Sequence, residues 1–297
     1  MEVTRTFDIL DLYREKNIKE DALAGKEDGA WVKYSSKQYV ETTCYLSYGL
    51  LALGLGKGSR IATISNNRPE WNFIDMGMSQ AGFIHVPIYP TISAEEYAYI
   101  LNHAEPSMVF ISDKTLFEKI SPICEKIPSI KAIFTFNQIE GARNWKELLE
   151  LGKKNEEKFR DELINIKNSI NPGDMVTILY TSGTTGFPKG VMLTHDNLIS
   201  NVKASVGVHP MDFRHKALSF LPISHVYERM LNYHFQYKGI SIYYAESMAT
   251  IAANAQEIKP DLFSTVPRLL EGIYDKIIGK GKDLSFPKKQ IFFWIKS

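Results

Sequence analysis

The sequence predicts an α/β protein with mostly parallel βαβ sheets and flanking helices. Two observations lead to this prediction. Short apolar segments of strand length alternate with segments of helical periodicity along most of the chain, and such an alternation produces right-handed crossovers between parallel strands. The chain has 297 residues, of which 44% are hydrophobic, and this length is sufficient for two or three compact units with a substantial core.

The first half of the chain alternates regularly between the two patterns. The predicted strands are 60–65, 83–89, 108–112 and 131–136, and the predicted helices are 69–82, 93–104 and 114–126. Ser93 is the expected N-cap of its helix, because Glu96 follows three residues later as in a capping box. We interpret the glycines of 54–58 as a helix end and turn rather than as a dinucleotide fingerprint, because a strand follows them. The charged segment 137–171 is expected to form a solvated helix-and-loop excursion.

The second half repeats the alternation. The predicted strands are 175–180, 216–220, 241–244 and 262–265, and the predicted helices are 196–207, 228–237, 251–257 and 267–278. We therefore expect a lead-in segment at 1–60, an α/β subdomain at 61–200, and the start of a second α/β subdomain at 201–297.

Composition and charge exclude several classes of protein. The net charge of +1 provides no overall field for nucleic acid, so no nucleic-acid partner is expected. Cys44 and Cys124 are the only cysteines, which argues against a disulfide scaffold and favours a reducing compartment. Without a signal-peptide pattern or an apolar run of about 20 residues, we expect a cytoplasmic protein. The basic stretch 276–289 is expected to form a solvated face. Peripheral membrane contact through it and a homodimer both remain open.

The segment 180–191 is the most informative part of the chain. It follows the apolar strand 175–180, and its glycines can turn backbone N–H groups toward one point. Several hydroxyls and one lysine add further donors, and this combination suits a polyphosphate. The residues that we expect to hold the phosphates are Thr181, Ser182, Gly183, Thr184, Thr185, Gly186 and Lys189. The segment is not the usual P-loop, because Pro188 precedes the lysine and disfavours a helix start there.

A second informative stretch lies at 218–229. A predicted strand runs into a loop at Pro222 and delivers His225, Tyr227 and the ion-pair-capable Glu228 and Arg229 to one place. The carboxyl end of a parallel strand is where open α/β sheets bind ligands. Taken alone, such a histidine is more often a structural residue, and it is the presence of segment 180–191 in the same chain that favours function.

The two stretches resemble signatures of a known group of enzymes. Segment 180–191, Tyr-Thr-Ser-Gly-Thr-Thr-Gly-Phe-Pro-Lys-Gly-Val, closely resembles the phosphate-binding signature of the adenylate-forming superfamily at every position. This superfamily holds acyl-CoA synthetases, aryl-CoA ligases, luciferases and the adenylation modules of peptide synthetases. Segment 221–229, Leu-Pro-Ile-Ser-His-Val-Tyr-Glu-Arg, looks like its second core motif. The Glu-Arg ending and the stretches 66–71 and 259–276 are typical of the long-chain fatty acyl-CoA synthetase branch.

This resemblance implies a fold, an activity and roles for individual residues. The fold would be a large N-terminal domain of an adenylate-forming enzyme, incomplete here. The activity would be the ATP-dependent activation of a long-chain fatty acid, through an acyl-adenylate, to acyl-CoA, with ATP, Mg²⁺ and CoA required. Thr181 would help to coordinate Mg²⁺. The catalytic His225 and its neighbour Val226 would lie between the acyl carboxylate and the α-phosphate.

Other interpretations stay open at this point. The acid could be an aryl or amino acid, or the chain could be a non-catalytic fragment that binds nucleotide or acyl chains. In the superfamily, further motifs for adenine, ribose and Mg²⁺ and a C-terminal domain with a catalytic lysine follow, and none appears after Arg268. We therefore expect the C-terminal catalytic domain to be absent from this sequence, and the chain alone to fold without making acyl-CoA.

Overall fold

The structure is a computed structural model that describes residues 2–181, 186–208 and 210–296. By contacts, the chain divides into two compact units, Met1–Leu262 and Phe263–Ser297. Within the described residues the strands are β1 (Leu23–Glu27), β2 (Ala30–Tyr34), β3 (Arg60–Ile64), β4 (Ile84–Ile88), β5 (Met108–Ile111), β6 (Ala132–Thr135), β7 (Met175–Thr181), β8 (Lys189–Thr194), β9 (Lys216–Ser219), β10 (Ser241–Tyr244) and β11 (Leu262–Phe263).

Helices surround these strands. Their bounds are α1 (Ile9–Glu15), α2 (Ser36–Ala52), α3 (Pro69–Gln80), α4 (Ala94–Ala104), α5 (Lys114–Cys124), α6 (Lys146–Lys154), α7 (Glu156–Ser169), α8 (His195–Ser205), α9 (Val226–Tyr237), α10 (Ile251–Ile258), α11 (Pro267–Lys282) and α12 (Lys288–Lys296), with a short 3₁₀ helix at Thr6–Asp8. The helices and strands predicted between residues 60 and 136 are all confirmed within a few residues, and Ser93 caps α4 with Glu96 as expected.

The strands form two sheets that confirm the α/β prediction. The six-stranded sheet has the order β6-β5-β3-β4-β7-β8, and the five-stranded sheet has the order β11-β9-β10-β1-β2. In the first, all pairings are parallel except that of β8 with β7. In the second, β9, β10 and β1 run parallel, and β2 turns back antiparallel on β1.

The strands β1 and β2 were not predicted from the sequence. The segment Leu23–Glu27 reads Leu-Ala-Gly-Lys-Glu, and four of these five residue types are depleted in strands. Pairing with β10 on one side and β2 on the other provides the backbone partners that composition does not indicate. As a result, part of the lead-in segment 1–60 belongs to the same sheet as residues 216–244.

The charged segment 137–171 is more ordered than the solvated excursion that we expected. It forms α6 and α7, whose apolar residues Leu148, Phe159 and Leu163 are buried. A side chain on Gly152 would place its Cβ 1.8 Å from the Tyr45 carbonyl oxygen of α2. Glycine therefore allows the two helix backbones to approach closely, and the charges lie on the outer faces of an otherwise packed layer.

Helix α3 is buried along its whole length, although it carries several polar residues. Buried polar groups need hydrogen-bond partners, because each unpaired one costs about 1–3 kcal/mol. Helix α9, which follows β9, supplies several of these partners. Gln236 donates to Asn72 over 3.0 Å, and Arg229 and Tyr233 both contact Asp75. The contacts join the helix that follows β3 to the helix that follows β9.

Asp75 is the centre of a buried ion-pair network. Its Oδ1 accepts from Arg229 Nη2 and from His85 Nδ1, each at 2.6 Å, and its Oδ2 accepts from the Tyr233 hydroxyl at 2.5 Å. Burial alone would raise the pKa of Asp75, but the Arg229 charge and the His85 and Tyr233 bonds hold that pKa below its ordinary value. Burial lowers the pKa of His85 to about 4, so the ring is neutral at pH 7 and donates through Nδ1. Arg229 also donates to Thr177 of β7 over 2.7 Å.

Glu228 lies beside this network and has separate partners. Its Oε1 accepts from the Ser219 hydroxyl at 2.5 Å and from Asn232 Nδ2 at 3.2 Å. Burial raises the pKa of Glu228 to about 8, against which the Ser219 and Asn232 bonds act only in part. The carboxyl group is therefore protonated at pH 7. Asn232 continues the chain of bonds, because it accepts from the Tyr244 hydroxyl at 2.6 Å.

We expect Arg229→Met to destabilise the chain strongly. The substitution would leave the Asp75 charge buried and unpaired, which typically costs about 3–5 kcal/mol. Urea denaturation followed by circular dichroism measures this loss. The matched control is Arg160→Met, which removes an exposed (i,i+4) pair with Glu156 and should leave the unfolding midpoint unchanged. Equal effects of the two substitutions would contradict an organising role for the buried pair.

We expect Glu228→Gln to remove one component of the pH dependence of stability. The folded chain keeps a proton on Glu228 up to a pKa of about 8, whereas the unfolded chain releases it near the ordinary value of 4.5. The free energy of unfolding therefore falls as the pH rises through this window, by about 1.4 kcal/mol per pH unit. Glutamine resembles the protonated acid, so the variant should lose stability less steeply in urea denaturations at several pH values. Parallel pH profiles of the two proteins would show that Glu228 ionises in the folded state.

Candidate functional site

Segment 180–191, hereafter the phosphate-loop segment, begins on β7 and ends on β8, and these two antiparallel strands form a β-hairpin. Thr181 is the last residue of β7 and Lys189 is the first residue of β8, and the two are directly paired. Residues paired across antiparallel strands project to the same face, so the hydroxyl and the lysine side chain lie on one side of the hairpin, and both residues are exposed. Gly186 has φ +91°, a left-handed conformation that favours glycine. The predicted residues Ser182, Gly183, Thr184 and Thr185 lie outside the described residues.

Gly190 explains why a glycine follows the lysine in this motif. It pairs with Tyr180 across the hairpin. A Cβ at this position would lie 3.0 Å from Ile178 Cγ2 and 3.4 Å from the Tyr180 ring, closer than side-chain contacts normally allow. The glycine thus lets the Tyr180 ring lie across β8. The Tyr180 hydroxyl is 2.7 Å from His103 Nδ1 on α4.

A row of aromatic rings holds both ends of the phosphate-loop segment against α4. His103 stacks on Tyr99 with ring centroids 5.9 Å apart, and Tyr99 stacks on Phe187 with centroids 5.0 Å apart. Tyr180 precedes the loop and Phe187 follows it, so the row connects its two flanks through one helix. Sequence reasoning assigned no such role to Tyr99 or His103, because neither lies in a recognisable motif.

His225 lies at the N-terminus of α9 and caps that helix. Its Nδ1 accepts from the Tyr227 backbone N–H at 3.2 Å. A nitrogen that accepts a hydrogen bond carries no proton, so the neutral ring holds its proton on Nε2. The ring is exposed. His225 can therefore present an Nε2–H donor to a ligand while its other nitrogen is occupied by the helix end.

The neighbourhood of His225 connects it to the phosphate-loop hairpin. Its ring lies against Tyr89 with a centroid distance of 6.3 Å, and Tyr89 directly follows β4. His85 of β4 is paired in parallel with Thr177 of β7. In this register Tyr89 comes opposite Thr181, because each lies four residues beyond one member of that pair. The His225 loop and the phosphate-loop hairpin therefore lie at the same carboxyl edge of the six-stranded sheet.

The predicted grouping of His225, Tyr227, Glu228 and Arg229 at one place is wrong. His225 and Tyr227 are exposed, and Val226 is exposed as well, whereas Glu228 and Arg229 are buried with the partners described above. The physical reason is the helical geometry of α9, because successive residues on a helix point in different directions. The Glu-Arg part of the motif fixes the helix, and the His-Val-Tyr part remains available to a ligand.

Two residues next to the site were missed by the sequence analysis as site residues. One is Tyr89, which contacts His225. The other is Asn67, whose side chain binds the backbone at Leu221 and Ile223 on the two sides of Pro222. Tyr89 directly follows β4, and Asn67 lies three residues after the end of β3. Position at the carboxyl end of a parallel strand is the signal that could have identified them.

A polar cavity of about 790 Å³ opens beside Asn67, at the carboxyl ends of β3, β5 and β10. Its lining includes Asp113 and the ion pair between Arg68 and Glu70, whose atoms are 2.8 Å apart. Such a lining does not suit a long apolar chain. Among the described residues there is no cluster of three or more His, Cys, Asp or Glu side chains that could hold a metal ion. In the same part of the chain, none of the helices has the length and hydropathy needed to cross a membrane.

Known proteins are similar to this chain in sequence. A long-chain-fatty-acid–CoA ligase from Xenopus laevis, ACSBG2, is 32% identical over 93% of this chain and 39% of its own length. Fatty acyl-CoA synthetase A from Dictyostelium discoideum is 32% identical over 98% of this chain and 45% of its own length. The chain thus spans less than half of the length of these relatives.

The fold likewise matches solved structures. The A-PCP didomain of a carboxylic acid reductase from Segniliparus rugosus, solved in complex with AMP, superposes with a TM-score of 0.76 at 20% identity, over 97% of this chain and 46% of that one. At such an identity the match concerns the fold alone. The sequence model that describes AMP-binding enzymes matches residues 14–293, nearly the whole chain. The chain therefore belongs to the family of AMP-binding enzymes, the adenylate-forming group whose signature its phosphate-loop segment carries.

Proposed function

We propose that the natural protein containing this chain activates a long-chain fatty acid with ATP and transfers the acyl group to CoA. The observation that carries this proposal is the common edge of the phosphate-loop hairpin and the His225 loop, which the Tyr89–His225 contact and the β4–β7 register support. The relatives named as fatty acyl-CoA ligases support the substrate class. In this proposal residues 61–200 and 201–297 belong to two subdomains of one adenylation domain, with β1 and β2 joining the sheet of the second.

The reaction has two steps. In the first, a carboxylate oxygen attacks the α-phosphorus of ATP, an acyl-adenylate forms, and pyrophosphate leaves. In the second, the thiol of CoA attacks the acyl carbon, a thioester forms, and AMP leaves with the electron pair of the broken bond. The protein forms no covalent bond with the substrate in either step. Its contribution is to hold the reacting atoms in line and to stabilise the charge that develops on the phosphate oxygens.

The hairpin would hold the β- and γ-phosphates. Lys189 contributes a positive charge at its base, Gly186 a backbone turn, and the predicted Ser182, Gly183, Thr184 and Thr185 the hydroxyls and N–H groups of the loop. Thr181 offers the hydroxyl oxygen that Mg²⁺ accepts as a ligand, and this ion usually takes one or two protein oxygens with the rest from phosphates and water. When bound, Mg²⁺ would neutralise phosphate charge.

His225 would act as a hydrogen-bond donor and not as a general base. The Tyr227 N–H occupies its Nδ1, and the proton on Nε2 can bind an oxygen of the carboxylate or of the α-phosphate. Adenylation does not require a base, because the acid already reacts as its carboxylate at pH 7. Val226, exposed beside His225, would border the same space.

The alternative substrates are an aryl or an amino acid. They remain open because the family match concerns AMP-binding enzymes in general and specifies no acid. Acid-dependent ATP–pyrophosphate exchange with fatty acids of several lengths, benzoate and a set of amino acids distinguishes these substrates. Exchange with aryl or amino acids alone would replace the proposed substrate, and ATP binding without exchange for any acid would favour a binding function.

We expect Lys189→Ala to weaken ATP binding without unfolding the chain. A charge-assisted hydrogen bond to a phosphate contributes about 1.5–3 kcal/mol, which corresponds to a roughly ten- to hundredfold loss of affinity. Titration calorimetry with Mg-ATP measures the affinity, and circular dichroism monitors the fold. Lys37→Ala is the matched control, because Lys37 is the more exposed partner of a loose surface pair with Glu41. Equal ATP affinity of both variants and the parent would contradict the role of Lys189.

We expect His225→Asn to slow adenylation about 100-fold and to preserve the fold. Asparagine is a favoured N-cap, so helix α9 keeps its start, but the Nε2–H donor is lost and misplacement at a reacting centre can cost about that factor. Acid-dependent exchange in the natural protein gives the rate. His215→Asn is the control, because His215 precedes β9 and lies at its other end. If the His225 variant lost stability and kept its rate, the histidine would be a structural cap only.

A further inference from the structure

We propose that Asn67 is a positioning residue for His225. This inference rests on the proposed function, because it assigns Asn67 a part in the same reaction. Asn67 lies in the loop between β3 and α3, whereas His225 follows β9 in the other sheet. One side chain thus connects the carboxyl ends of strands from two different sheets.

The contact consists of two hydrogen bonds to the backbone before His225. Asn67 Nδ2 donates to the Leu221 carbonyl over 2.6 Å, and Asn67 Oδ1 accepts from the Ile223 N–H over 3.0 Å. Pro222, between these two residues, has no N–H and cannot donate to a ladder of strand bonds. The amide side chain therefore supplies both partners that an adjacent strand would otherwise provide.

The bound segment leads directly into the turn that carries His225. The His225 N–H donates to the Pro222 carbonyl at 2.9 Å and closes this turn. Leu221 and Ile223 are buried, so the turn cannot shift without exposing apolar surface. On the other side of His225, the Arg229–Asp75 pair holds α9. The turn that carries His225 is therefore held on both sides, by Asn67 before it and by the Arg229–Asp75 pair after it.

The chemistry of the contact selects an amide. A carboxylate in the place of Asn67 could still accept from Ile223, but it has no donor for the Leu221 carbonyl, and an aliphatic side chain offers neither. The neighbouring Asn66 is a natural control. It is exposed, and its Nδ2 lies 3.4 Å from Asp113 Oδ2, at a distance from which little stabilisation is expected.

The first experiment measures the loop itself and does not depend on activity. Hydrogen–deuterium exchange of the chain, read from peptides covering 219–226, should be about tenfold faster in Asn67→Ala and unchanged in Asn66→Ala. Asn67→Asp keeps one of the two bonds and should give an intermediate rate, which also preserves the test if the alanine variant folds poorly. Equal exchange in the parent and both Asn67 variants would overturn the proposal.

The second experiment asks whether Asn67 acts through His225. In the natural protein, acid-dependent ATP–pyrophosphate exchange should fall about tenfold in Asn67→Ala, with the KM for ATP unchanged within about twofold. The double variant with His225→Asn should be no slower than His225→Asn alone, because the residue that Asn67 positions is already lost. Multiplied losses in the double variant would overturn the positioning role. If the parent shows no exchange with any acid, the proposed function fails and with it the role of Asn67 in the reaction, while the deuterium measurement still decides whether Asn67 holds the loop.

Discussion

The architecture of this chain depends on the buried pair between Asp75 and Arg229. One partner lies on the helix after β3 and the other on the helix after β9, so the bond joins the crossover elements of two sheets. Taking two charges out of water costs several kcal/mol each, and only close contact and further hydrogen bonds recover that cost. Tyr233, His85 and Thr177 provide those bonds. A helix held in this way has little freedom to rotate. The exposed His225 at its N-terminus is therefore held in place.

Local patterns allowed most of the six-stranded sheet to be predicted from the sequence. The helix start at Ser93, for example, follows from a capping residue with Glu96 three positions on, and the structure contains this capping box. Pairing between distant segments could not be predicted in this way. Strand β1 has a composition unfavourable to strands, and only its neighbours β10 and β2 make it one. Likewise, the close approach of α2 and α6 depends on Gly49 and Gly152, whose spacing in the sequence gives no sign that they meet.

The sequence identified the candidate site residues, but not the residues that hold them in place. Motif order alone identified the hairpin residues Thr181 and Lys189, which the structure pairs, while their roles in binding stay predictions. The same motif reasoning placed Glu228 and Arg229 beside His225 as if all were alike, because a sequence does not distinguish the inner from the outer face of a helix whose neighbours are unknown. Asn67 was visible only as part of a typical stretch. Its two backbone contacts join residues more than 150 positions apart. No local sequence pattern indicates a contact between residues so far apart.

The ring of His225 has two roles, one for each of its nitrogens. His225 Nδ1 completes the first turn of α9, and this bond determines that the neutral ring offers a donor on Nε2. The fold thus selects both the position and the tautomer of the side chain before any ligand arrives. Preorganisation of this kind suits adenylyl transfer, in which the protein stabilises charge on phosphate oxygens and makes no covalent bond of its own.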